Sequence, residues 1–135
     1  MPIVEFTVEG PPVSHQSKNK LALGTWKALV RAEAAKAWPQ APMKGVLKCT
    51  IMNFFEGPNA PLDDDNMVKP IRDAMNGVVY DDDSQIRHSA HAQTSIDGSF
   101  PIRRVSKVIL NAFHTGKPFV YVRVEDAPPQ TQLPK

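Results

Sequence analysis

The chain has 135 residues, 41% of them hydrophobic, and carries 16 Lys and Arg against 14 Asp and Glu, a net charge of +2. That length suits one domain burying about two thirds of its unfolded surface, so neither disulfides nor a structural metal are needed for folding. A single cysteine, Cys49, excludes an internal disulfide and multi-thiolate zinc sites, no apolar run nears the roughly 18–20 residues of a membrane span, and MPIVEFTVEG lacks the pattern of a signal peptide; together these point to the cytoplasm and to no membrane partner.

In chain order, Ile3, Val4, Phe6 and Val8 interleave with Glu5, Thr7 and Glu9 and predict a first strand, ended by Gly10-Pro11-Pro12. The polar, basic stretch from Val13 to Leu23 has no clear period and is read as a loop. Thr25 is taken as the N-cap of an Ala-rich helix that ends before Pro39, with Trp26, Leu29, Val30, Ala34 and Ala37 on its inner face and Lys27, Arg31 and Lys36 outside. Val46 to Phe55 predicts a second strand, followed by a loop from Gly57 to Pro61.

Asn66 to Asn76 predicts a second helix, with Met67, Ile71, Ala74 and Met75 inward and Gly77 at its end. Pro70 lacks the amide that would bond the Asn66 carbonyl, so with Asp65 as cap the first turn is expected to be loosened and the regular part to start near Lys69. Gln85 to Ile96 predicts a third strand, Ser106 caps a short helix KVILNAFHT, and Phe119 to Val124 alternates as a fourth strand. The order β-α-β-α-β-α-β implies an α+β domain over residues 1–126 with a small mixed sheet, and residues 127–135 form a Pro-rich tail.

The charge is unevenly spread. Residues 63–83 hold seven of the fourteen acids against Lys69 and Arg72, a local charge of −5, which leaves +7 on the rest of the chain. A basic body around an acidic patch suits an enzyme that grips a polyanion by its edges and holds cations at its centre. Within Asp63-Asp64-Asp65 an extended chain would turn Asp63 and Asp65 to one side and Asp64 away. A helix with a short return would then bring Asp83, with Asp82 as an alternate donor, back to complete a carboxylate site for Mg²⁺, or for Mn²⁺ in its place. On local grounds alone the same residues serve equally well as helix caps and an Asx turn.

The joint pattern decides between these. DDDNMVK (63–69), DAMNGVVY (73–80) and DDSQI (82–86) together resemble the RusA family of Holliday junction resolvases, and GPPVSHQSKNK more loosely resembles the family's loop after the first strand. The resemblance implies a homodimeric, magnesium-dependent endonuclease that nicks four-way DNA junctions symmetrically. It places the catalytic carboxylates at Asp63, Asp65 and Asp83 and the essential lysine at Lys69, with Asn66 as a cap at the helix start and Asp73 as a helix-face support. The chain departs from the family pattern at Gln93, where lysine is expected. Lys18 and Lys20 in the loop, Lys27 and Arg31 on the first helix, and Arg103 and Arg104 are the expected DNA-backbone contacts. His88 and His91, three apart on a strand, face opposite sides and are read as surface or edge residues. A nuclease with another target, or a branched-DNA-binding module without turnover, remains the alternative.

Overall fold

A computed structural model describes residues 2–58, 62–97 and 105–129. The elements follow the expected order: β1 (Ile3–Glu9), α1 (Lys20–Ala37), β2 (Leu47–Phe55), α2 (Asp64–Ala74), β3 (Ile86–Ser95), α3 (Lys107–Phe113) and β4 (Phe119–Asp126), with one 3-10 turn (Asp83–Gln85) before β3. The strands form one sheet in the order β1-β4-β2-β3. β4 pairs antiparallel with β1 and β2, while β2 and β3 are parallel. A parallel pair needs a crossover, and α2 provides it, which places the acidic segment at the C-terminal end of β2 and carries it back to the start of β3. The architecture is α+β with a mixed sheet. Among the described residues no helix is long and apolar enough to cross a membrane.

Period-two alternation on β4 divides the core between two faces. Val120, Val122 and Val124 join Trp26, Val30 and Ala34 of α1 and Met67 and Ile71 of α2 in the main cluster. Phe119 and Tyr121 pack on the other side with Phe54 and Ala112. Cys49 lies in the main cluster, and burial pushes its thiol up to about 12, so it is an inert apolar filler.

α1 begins at Lys20, five residues before the Thr25 cap that composition suggests. Asn19 is the cap: its Oδ1 accepts from the Ala22 amide at 3.0 Å, so the last four residues of the predicted loop are helical and Thr25 is interior. The earlier start adds Leu23 to the buried stripe of Trp26, Val30 and Ala34, and it leaves Leu29, expected inside, 49% exposed. Ser106 caps α3 as expected, its Oγ accepting from the Val108 amide.

α2 also differs from expectation. Asp63, not Asp65, is the N-cap, and its first turn is regular, with the Met67 amide donating to the Asp63 carbonyl at 3.0 Å. Asn66 therefore lies within the helix and caps nothing. Pro70 does remove the bond to the Asn66 carbonyl, but the His15 amide donates to that oxygen instead, at 2.9 Å. The substitute bond docks the loop after β1 onto α2. At the far end Arg31 donates from Nη1 to the carbonyls of Ala74 (3.3 Å) and Asn76 (3.0 Å), holding the orphan acceptors of the helix terminus. Arg31→Ala is expected to lower stability by about 1 kcal/mol, a fall in Tm of roughly 3–5 °C by thermal denaturation. An unchanged Tm would leave the guanidinium free for another task.

Candidate functional site

The acidic segment is assembled by a compact return of the chain. After α2, Gly77 adopts φ +77, and its amide donates to the Tyr80 carbonyl at 2.7 Å, closing a tight turn that a side chain would strain. Tyr80 is fully buried, and its hydroxyl donates to the Arg72 carbonyl at 2.6 Å, tying the turn to the helix that precedes it. Burial raises the Tyr80 pKa, so the phenol stays neutral and remains a donor. Gln85 then locks the second aspartate run. Its Oε1 accepts from the amides of Asp81 (2.9 Å) and Asp82 (3.1 Å), and its Nε2 donates to the carbonyls of Met43 and Gly45.

Asp83 is delivered to the middle of α2. Lys69 Nζ lies 3.5 Å from Asp83 Oδ2 and 2.9 Å from Asp73 Oδ1, and Arg72 Nη2 donates to the Asp83 backbone carbonyl at 3.2 Å. The hydrogen bond that Lys69 donates to Asp73 and the charges of Asp73 and Asp83 raise the Lys69 pKa against a smaller effect of burial, so it is a permanent cation at neutral pH. Lys27 approaches the other oxygen of Asp73 at 3.9 Å, so Asp73 lies between the cations of α1 and α2.

The first run is not the extended pair that alternation suggested. Asp63 is extended at the cap, whereas Asp64 and Asp65 are the first helical residues, so the three side chains fan outward around the helix start. Asp64 is held from β3, with Gln93 Nε2 at 3.0 Å from Oδ1 and His91 Nδ1 at 3.3 Å from Oδ2. Asp81 pairs with Lys44 at 2.6 Å. Asp82 is used as the cap of the 3-10 turn, accepting from the Ser84 amide, and those bonds lower its pKa. Asp63 and Asp65 are exposed, and among the described residues neither carboxylate has a hydrogen-bond or ion-pair partner.

Between this helix start and the docked loop lies a cleft of about 440 Å³, whose walls include His15, Gln16, Asp65, Lys69, Arg72 and His91. Its lining has one carboxylate, two permanent cations and two imidazoles, a composition suited to a phosphodiester. Asp63 caps the helix beside it. Two of these residues were not legible as site residues. Arg72 enters the sequence reading only as a charge, although its i+3 spacing from Lys69 places both on one face. His91 reads as an edge residue, whereas the loop position of His15 suits a DNA-backbone contact as well as a flexible polar loop. Lys18 and Lys20 are exposed at the start of α1, whereas Arg103 and Arg104 lie outside the described residues.

Among the described residues no group of three or more His, Cys, Asp or Glu is arranged to hold a metal ion. The donor chemistry still fits a hard divalent cation. Mg²⁺ is commonly held by one or two carboxylates together with substrate phosphate and water, not by an all-protein cage, and Asp63 and Asp65 offer two unengaged carboxylates.

The family model described as Endodeoxyribonuclease RusA matches residues 13–125, a span that contains every residue of this cleft. No curated protein matches the chain.

Proposed function

The chain belongs to the RusA endodeoxyribonuclease family, and we propose that it is a magnesium-dependent, cytoplasmic nuclease that resolves four-way DNA junctions by paired, symmetric nicks. The observation that carries this reading is the division of labour among the seven acids of the segment. Five are engaged by neighbouring groups, while Asp63 and Asp65, both at motif positions of the family, are exposed and unengaged beside a cleft of phosphate-binding composition.

In this reading Asp63 and Asp65 would hold Mg²⁺, and Asp83, the third carboxylate that the family resemblance implies, stands paired with Lys69 on the same helix face, with Asp82 left to its capping role. The bound ion would supply Lewis-acid polarisation of the phosphoryl oxygen and an acidified water. The chain's own residues do the rest. Lys69 offers a compact positive charge at the cleft to the oxygens that gain charge in the transition state. Arg72 fixes Asp83 through its backbone carbonyl and adds a second cation to the same wall. Asp73, its nearest partner, raises the Lys69 pKa, so the lysine is assigned the role of a cation and not of the base that activates water. Lys18, Lys20 and Lys27 contact the DNA arms, and a twofold homodimer matches a junction whose opposed strands must be cut together.

The choice of target is tested with a panel of labelled substrates at equal concentration: a four-way junction, a flap, linear duplex and single-stranded RNA. The junction is expected to be cut at least about 10-fold faster than any other, a margin of about 1.4 kcal/mol in transition-state binding. Equal rates on linear duplex would mean a general nuclease, and tight junction binding with no product on any substrate would mean a binding module.

A further inference from the structure

We propose that Asp64, the middle acid of the first run, is a positioning residue: gripped by β3 through both of its oxygens, it fixes the start of α2 and so aims its neighbours Asp63 and Asp65. This deepens the nuclease reading above and rests on it. His91 and Gln93 are two apart on β3, so their side chains leave the same face of the sheet. They stand in register opposite Ile51 and Asn53 of β2, and Ile51 belongs to the main core cluster beneath α2, so that face looks toward the helix.

Gln93 is held at every polar atom. Its Oε1 accepts from Asn53 Nδ2 at 3.1 Å, and Asn53 is a buried polar residue at 1% exposure. Its Nε2 donates to the Leu62 carbonyl at 2.6 Å and to Asp64 Oδ1 at 3.0 Å. With both partners of the amide fixed, the donor toward Asp64 has one orientation, and His91 Nδ1 closes the second oxygen at 3.3 Å. The Leu62 bond and the Asp64 bond straddle Asp63. One glutamine therefore pins the chain immediately before and immediately after that residue.

The contact adds little to global stability, because Asp64 is about half exposed and His91 about a third. Its effect is geometric. Asp63 and Asp65 have no partner of their own among the described residues, so the direction of their carboxylates depends on how rigidly the first turn is seated. A displacement of about 1 Å in a reacting group can cost on the order of 10²-fold in rate.

The test uses three full-length proteins: wild type, Asp64→Ala and Asp64→Asn. Changes at Gln93 are avoided because they would strand the buried Asn53 amide. Asparagine keeps the acceptor for Gln93 and the shape of the side chain opposite His91 Nδ1, so it preserves the grip while removing the charge. Amide hydrogen exchange of the segment 62–69 is expected to accelerate about 10-fold or more in Asp64→Ala and to return to the wild-type rate in Asp64→Asn. On a four-way junction with Mg²⁺, Asp64→Ala should lose about 10- to 100-fold in kcat with KM unchanged, and Asp64→Asn should stay within about threefold of wild type. Unchanged exchange in Asp64→Ala would overturn the proposal whatever the enzyme cuts. An Asp64→Asn variant as inactive as Asp64→Ala, with exchange restored, would overturn it too, since the charge itself would then be acting. If wild type cuts no DNA while the exchange results hold, the grip on the helix start stands and the nuclease reading fails.

Discussion

Asp65→Asn is expected to reduce junction cleavage more than about 10³-fold while binding survives or tightens. The residue is exposed, faces the cleft and has no partner among the described residues, so the isosteric change leaves the fold intact. What it removes is a hard, anionic oxygen at the point where a divalent cation would be held. It also takes one negative charge from a segment of net −5 that opposes the approach of phosphate, which is why affinity should not fall. Parallel gel-shift and nicking assays on one preparation check both halves. Joint loss of binding and cleavage in a well-folded variant would place Asp65 in DNA recognition instead.

Lys69→Ala should lower turnover by about 10²- to 10³-fold, with a change in Tm of no more than roughly 2 °C. The lysine is about half exposed, so its pairs with Asp73 and Asp83 are screened by solvent and contribute little to folding. Its charge is nevertheless fixed at the cleft wall. Because the folded pKa is raised above 10.5, the small stabilisation from these pairs is fully present below that pH and is lost as pH rises through the raised value. Activity limited by Lys69 should therefore show no titration of this group between pH 6 and 9, in stopped assays on wild type. Lys69→Arg, which keeps the charge, should recover part of the rate. A Lys69→Ala enzyme that turns over at the wild-type rate would reduce Lys69 to a surface ion pair.

Much of the scaffold was legible because it follows from local periodicity. The alternation of Val4, Phe6 and Val8 and of Phe119 to Val124 marked two strands, and the spacing of Met67, Ile71, Ala74 and Met75 marked the buried face of α2. What escaped was decided by contacts distant in sequence. Asn19 and Thr25 are both competent caps, and only the packing of Leu23 into the core selects the first. The first turn of α2 stays regular over Pro70 because His15, fifty-five residues before the proline, supplies the missing amide. The short return after α2 was foreseen, but it lands Asp83 beside Lys69 and Arg72, one to two turns beyond the helix start. Gln93, read as a departure from the family's lysine, is the residue on which the seating of the first aspartate run depends. A lysine there would bring a charge to Asp64, whereas glutamine brings an amide that Asn53 can orient.

A synthetic four-way junction, labelled on each strand in turn and incubated with the wild-type protein in Mg²⁺ or in EDTA, decides most directly whether Asp63, Asp65, Asp83 and Lys69 form a junction-cutting site. Nicks at symmetric positions on two opposed strands in Mg²⁺, none in EDTA, and none with Asp65→Asn in either buffer are the expected result. Cleavage that persists in EDTA, or in the Asp65→Asn variant with Mg²⁺ present, would contradict it.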